Sequence, residues 1–276
     1  MNPDPLFYPQ YDRTLGQSMR RETELFFDSI VREDRNVMEL LTADYTFVNE
    51  RLAKHYEIPN IDGTRFRRIK VDHDYRKGLL GQGSILTLTS VADRTSPVAR
   101  GKFVMEVLLG TPPPPPPPNV PDLQETKAVQ GEKLLTLRQR MESHRANQPC
   151  AGCHRFMDPI GLALENFDVT GRWRDLDAGS SIDPTGQLWD GTKLDGPPSL
   201  RQALLDRSDV FIRNFTEKLM MYGLGRRVEY FDMPAVRAIA REAARNNNHF
   251  SSFVLGIVKR PQFQMRTVQE TTTNQH

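Results

Sequence analysis

Cys150-Ala151-Gly152-Cys153-His154 is the stretch on which the reading of this chain turns. Cys-x-x-Cys-His is the attachment spacing of a c-type haem. Two thiols three positions apart can reach the two vinyl groups of one haem and form thioethers. A histidine directly after the second thiol then lies against the ring face, where an imidazole nitrogen can ligate the iron. Small Ala151 and Gly152 leave room for the porphyrin edge. The chain has only two cysteines, and both fall inside this motif.

Other uses of the pair fit less well. A thioredoxin-like thiol couple wants a βαβ setting, with a strand before the pair and a helix after it. Here Pro149 and a polar loop are expected to precede it. A zinc knuckle needs four ligands, and no second cysteine pair exists. A disulfide across three residues would close no useful loop.

Composition sets the outer limits. At 276 residues the chain has room for one large or two small domains. A net charge of +2 gives no argument for nucleic acid or an anionic membrane. The mean hydropathy of −0.56 describes a polar chain with a modest core. No run approaches the length of a membrane-spanning segment. Met1 to Arg21 has no apolar stretch behind its basic residues, so no secretory signal is read there. A c-type haem is attached outside the cytoplasm, so the expectation is the C-terminal part of a longer exported, periplasmic protein.

Ser18 to Val31 reads as a helix with Met19, Leu25, Phe26 and Ile30 on one face. Asp34 is expected to cap a second helix carrying Val37, Leu40 and Leu41. A third is expected from Asp44, with Tyr45, Val48, Leu52 and Tyr56 at spacings of three and four. Pro59 and Asn60 to Gly63 end that section, and Phe66, Ile69 and Val71 suit a short extended piece. Gly78, Gly81 and Gly83 are too irregular for a nucleotide loop and point to a helix start or tight packing. Ser96-Pro97 is a helix start with a stop at Gly110.

Seven prolines, Pro112 to Pro118, follow as a stiff strap or spacer. Gln130 to Arg145 reads as an amphipathic helix with Leu134, Leu137, Met141 and His144 on one stripe, closed by Pro149. On that stripe His144 is either a histidine bonded to a backbone carbonyl or a second iron ligand. A new helix is expected from Asp158-Pro159, a turn at Gly171 to Arg174, and a small hairpin within Ser181 to Leu194. Ser199 to Lys259 is helical again, with a stop at Gly223 and a start at Asp232 and Pro234. The last residues read as a disordered tail.

Several of these stretches together resemble a known group. Arg21 to Phe27 (RETELFF) and Ala43 to Leu52 (ADYTFVNERL) resemble one of its domains. Ser96 to Lys102 (SPVARGK), Leu109-Gly110-Thr111 with the prolines, His144-Arg145, and Cys150 to Pro159 (CAGCHRFMDP) resemble the next. Leu164 to Asp168 (LENFD) and Gly171 to Arg174 (GRWR) extend that match, and Tyr222 to Arg226 (YGLGR) resembles the last. The group is the large cytochrome c-domain proteins typical of planctomycetes, whose C-terminal modules are domains of unknown function. The resemblance implies an exported haem c protein and supplies no substrate.

The expected fold is mainly α: helical modules around a c-type haem site, with a polyproline strap and a small β-hairpin. The expected modules are 1–75 (helical, the end of an upstream domain), 76–178 (haem c, with the strap), 179–266 (C-terminal, helical) and 267–276 (disordered tail). Cys150 and Cys153 are the candidate thioether residues and His154 the proximal iron ligand of a heme c. His144 is the candidate distal ligand, ahead of Met220 or Met221, and Met157 is assigned to packing near the ring. The leading function is electron transfer, toward a redox partner protein or an upstream cytochrome domain. A haem-dependent oxidoreductase and a surface interaction module are the alternatives. An open sixth iron position favours the oxidoreductase. Partner binding lost without redox change, on deleting the strap, favours the interaction module.

Overall fold

A computed structural model describes residues 2–114, 129–130, 133–145 and 148–265, with the side chains of 129–134 and 143–151 outside that description. About 54% of the chain is helical and the strands are short, so the fold is mainly α. The chain divides into two units. One comprises residues 1–28 and 39–208, the other 29–38 and 209–276.

The first unit holds most of helix α1 (Arg13–Arg32), which buries Met19 and Phe26, while Leu25 is only half-buried. The helix α2 that follows it is only Glu39–Thr42. The helix expected from Asp44 is not formed at its start. Tyr45–Val48 is instead a strand, β1, paired antiparallel with β2 (Arg67–Lys70) in the register Tyr45↔Lys70 to Val48↔Arg67. Aromatic and β-branched Tyr45-Thr46-Phe47-Val48 favour a pleated surface over a helix. Asn49 then starts helix α3 (Glu50–His55), its side chain accepting the Leu52 N–H at 3.0 Å. Val48, Leu52 and Tyr56 pack with Leu15 and Met19, so these positions form core although their backbone is part strand and part helix.

The glycines between Gly78 and Gly83 serve close packing. Gly78 has φ +64°, and a Cβ there would strike the backbone of Leu40 and Leu41. Helix α4 (Gly83–Leu88) begins at the last of them.

Helix α5 (Pro97–Phe103) starts as expected. The Ser96 hydroxyl accepts the Ala99 N–H at 3.2 Å and Pro97 occupies the first turn. It continues as one π-helical stretch, Val104–Leu108, and the chain leaves it at Gly110. Pro112–Pro114 form no helix or strand, and the rest of the proline run lies outside the described residues.

The helix expected over Gln130 to Arg145 is shorter at its front. Val129–Gln130 (β3) pairs with Lys133–Leu134 (β4), and helix α6 is Leu137–Arg145. Helix α7 (Gln148–Leu162) then runs through the whole cysteine–histidine motif and onward past Asp158. The expected loop before the motif and the separate helix after it are therefore one element. Pro149 sits in the first turn, where its missing N–H has no partner to lose, and Pro159 is carried inside the helix. Leu137 and Met141 of α6 pack on Leu162 of α7.

Two small hairpins follow. β5 (Leu176–Asp177) pairs with β6 (Ser180–Ser181), and β7 (Gly186–Gln187) with β8 (Lys193–Leu194), the latter at the expected place. Helix α8 (Pro197–Leu205) closes this unit.

The second unit contains most of α9 (Ser208–Leu224), with α10 (Met233–Arg245), α11 (Phe250–Val258) and α12 (Pro261–Gln264). Helix α9 runs just past the expected stop at Gly223. Met220, Val236, Ile239 and Phe253 are fully buried, and the Phe215 and Phe253 rings meet edge to face at 5.2 Å. Asp34 belongs to this unit, and it caps α11 rather than the helix that follows it in sequence. Its carboxylate accepts the Ser251 N–H at 2.7 Å and the Ser251 hydroxyl at 2.8 Å. Its own φ of 48° turns the chain away from a helical path. Asp232 likewise does not cap α10 through its side chain. It is buried and paired with Arg226 at 2.7 Å. The tail 267–276 lies outside the described residues. No helix among the described residues is long and apolar enough to cross a membrane.

Candidate functional site

Helix α7 sets the geometry of the motif. Positions i and i+3 lie on one helical face, so residues 150 and 153 share a face and 154 lies beside it. Cys153 is a half-buried free thiol. Among the described residues a Cβ on Gly152 would meet nothing within 4 Å, and Gly152 itself is exposed.

The His154 side chain keeps 16% of its surface exposed, and its Nδ1–H donates to Oδ1 of Asp158 at 2.9 Å. Asp158 is itself fully buried. One turn of helix separates the two residues, and a carboxylate at that place fixes both the ring's orientation and its tautomer. With Nδ1 turned to the carboxylate, Nε2 is the nitrogen that a metal would take. Sequence reasoning assigned Asp158 only to a helix start. The signal that would have found it is its spacing of four from His154 on a continuous helix.

The base of α7 is held by backbone contact with α5. A Cβ on Gly161 would fall on the carbonyl of Pro97, and one on Gly101 would fall on the carbonyl of Met157. Arg100, on α5, is fully buried. It donates to the carbonyls of Leu164 (2.7 Å), Phe167 (2.8 Å) and Asp168 (2.9 Å), fastening the chain that leaves α7. Its counter-charge is Glu165 at 3.8 Å, which also accepts the Thr95 hydroxyl at 2.6 Å and pairs with Arg174. Burial pushes the Arg100 guanidinium down to about 10 and the Glu165 carboxyl upward, with the opposite charges of the cluster limiting the rise of Glu165.

The remaining candidates divide clearly. Residue 144 lies on α6, and its side chain, like that of Cys150, is outside the described residues. Met157 is buried, in keeping with a packing role, and Met220 is fully buried in the second unit. Three other histidines are engaged elsewhere. His55 Nε2 meets the Thr170 carbonyl at 2.8 Å, His73 stacks on Tyr75 at 4.9 Å, and His249 bonds the Asp34 carbonyl. Burial pushes His55 down to about 4. Among the described residues no group of three or more His, Cys, Asp and Glu gathers as it would around a metal ion.

The helical setting of the motif reopens the thiol-couple reading, because the case against it rests on a loop before the motif. Helix α6, however, precedes α7, and every strand pair described is antiparallel and at most four residues long. That is not a βαβ setting. A single covalent group held by the two thiols and the histidine fits the donor set: two thiol positions on one face, an exposed Gly152 between them, and an imidazole oriented by a buried carboxylate.

No curated protein and no solved structure matches this chain. Three family models do. Residues 1–58 match the protein of unknown function DUF1592, residues 76–177 match DUF1588, and residues 190–263 match DUF1585. The motif and its Asp158 lie within the DUF1588 match, as do Arg100, Glu165 and Arg174. The chain thus matches, in succession, three family models of proteins of unknown function, DUF1592, DUF1588 and DUF1585, each over its own stretch.

Proposed function

We propose that this chain is an electron-transfer module of a larger exported cytochrome, holding one heme c through Cys150, Cys153 and His154. The observation that supports it most is the hydrogen bond from His154 to buried Asp158, on the helix that also carries both cysteines. When bound there, a haem supplies a one-electron ferric/ferrous couple. Cys150 and Cys153 would anchor it, and His154 would offer Nε2 to the iron. Asp158 holds the imidazole in place and increases its basicity. The close approaches of Gly101 to Met157 and of Gly161 to Pro97 keep α7 from shifting against α5. The electron's other station is a redox partner protein or an upstream cytochrome domain, in an extracytoplasmic compartment.

The decisive experiment is expression with export into a compartment that matures c-type cytochromes, followed by denaturation. Wild type is expected to retain haem at a 1:1 ratio, and the Cys150→Ala/Cys153→Ala double variant to retain none. Denatured wild type free of haem overturns the proposal.

Asp158 gives a second, graded test. Asp158→Asn replaces the charged acceptor of the His154 N–H with a neutral one. A less basic imidazole stabilises ferric iron less, so the reduction potential is expected to rise. A tenfold loss of affinity borne by the ferric state alone raises the potential by roughly 60 mV. Redox titration of the two matured proteins reads this directly. Equal potentials would remove Asp158 from the site.

A further inference from the structure

A cavity of about 250 Å³ opens in the first unit, and none of the motif residues lines it. Arg94, Arg140 and Arg174 all line it, together with Asp93, Asp177 and the ring of Tyr8. Its charges do not balance locally. Asp93 is taken by Arg94 at 3.2 Å. Asp177 is taken by Arg174 at 3.3 Å and by the Leu137 N–H at 2.7 Å. Glu165 lies fully buried and pairs with Arg174 and, more distantly, with Arg100. Nothing comparable meets Arg140. Among the described residues its guanidinium forms no hydrogen bond and no ion pair. Among the described residues, the Nε–H groups of Arg94, Arg140 and Arg174 are all buried without an acceptor.

Three arginines around one small space repel one another unless something negative lies between them. Burial first, and then the charge of Arg94, push the Arg140 guanidinium down, and the charges of Asp177 and Asp93 offset this only in part. Arginine presents a planar fork of donors that matches an oxyanion bidentately. A buried donor left without an acceptor is costly, so three at one place call for a ligand that supplies acceptors.

We propose that this cavity is a binding site for a small oxyanion, a carboxylate or phosphate group, with Arg140 as its principal contact and Arg94 and Arg174 at its sides. The group has two sources: a free small anion, or a propionate of a haem bound to the same chain. The proposal itself does not depend on haem, because the uncompensated charge is a property of the protein's own residues.

The test is calorimetric titration of the full chain with succinate and with inorganic phosphate, using chloride as the control. It is run on the matured protein and on the haem-free Cys150→Ala/Cys153→Ala variant. Saturable oxyanion binding is expected, weakened about tenfold or more in Arg140→Gln, as for loss of one charge-assisted contact. Arg140→Lys is expected to fall between the two. Arg140 is only partly buried, and thermal unfolding without anion is expected to place Arg140→Gln no lower than its parent, since a repulsion is removed. Binding by the haem-free chain alone identifies the occupant as a propionate, whereas binding by both forms identifies a free anion. No saturable binding of either probe to either form, or equal affinity in Arg140→Gln, overturns the proposal. Absence of haem from wild type would sink the electron-transfer reading and leave this titration intact.

Discussion

Gly161→Ala is expected to unfold the first unit at markedly lower denaturant than wild type, while Gly152→Ala, nine residues earlier on the same helix, is expected to be neutral or slightly stabilising. The contrast isolates packing from helix propensity. Alanine favours a helix over glycine at both positions, by about 0.5–1 kcal/mol. At Gly152, which is exposed, the added methyl meets nothing within 4 Å among the described residues. At Gly161 it falls on the Pro97 carbonyl, which is backbone and cannot rotate away. The helices α5 and α7 would have to separate, losing the reciprocal contact at Gly101 and disturbing the Arg100 bonds behind it. Forced overpacking of this kind costs about 3 kcal/mol. Urea titrations of the two variants measure the difference, and matching midpoints would show that the contact is not tight.

The second large effect is a pH dependence centred on Glu22. This carboxyl is fully buried on α1, where it accepts the Thr46 hydroxyl at 2.6 Å and the Tyr56 hydroxyl at 2.7 Å. Burial pushes it from 4.5 up to about 7, although both hydrogen bonds and the charge of Arg76 pull the other way. The folded state therefore holds this proton more tightly than the unfolded chain does. The resulting stability is full below about pH 4.5 and is lost as pH rises through about 7, a difference of about 3 kcal/mol. Glutamine imitates the neutral acid, so Glu22→Gln is expected to remove that loss. Unfolding free energies near pH 4 and pH 8 are expected to differ by about 3 kcal/mol less in the variant than in wild type. His55 contributes with the opposite sign, since its depressed pKa makes it destabilising as pH falls toward 4. It is common to both proteins and cancels in the comparison. Identical pH profiles would mean that Glu22 is ionised in its pocket without cost.

What could be read in advance depended on whether the signal was local. Ser96-Pro97 announced α5, because a hydroxyl cap and a proline act on the residues beside them. The Gly186–Leu194 hairpin was legible for the same reason, through its Asp-Pro and Asp-Gly turns. Tyr45 misled, since its spacing to Val48, Leu52 and Tyr56 is helical while the residues between them favour a strand. The two prolines of α7 misled in another way. Each looked like a boundary, but one sits in the first turn and the other is tolerated within the helix. Buried charges were the least visible. Arg100 and Glu165 look like surface residues in a linear reading, and only the return of the chain after α7 brings carbonyl acceptors to the arginine. Asp158 was within reach, but only if its helix was known to be continuous with the motif.

The cap that Asp34 provides for Ser251 bears on the order in which this chain can be completed on the ribosome. Residues 29–38 leave the tunnel early, yet their place in the second unit does not exist until residues 209–258 have followed. At roughly 5–20 residues per second the intervening residues 39–208 take on the order of ten to thirty seconds to make. Throughout that interval the end of α1 and the turn after it wait without their partners. The stretch matching DUF1585 begins at residue 190 and so omits Asp34 altogether. The matched stretch and the folded unit therefore do not share their boundaries.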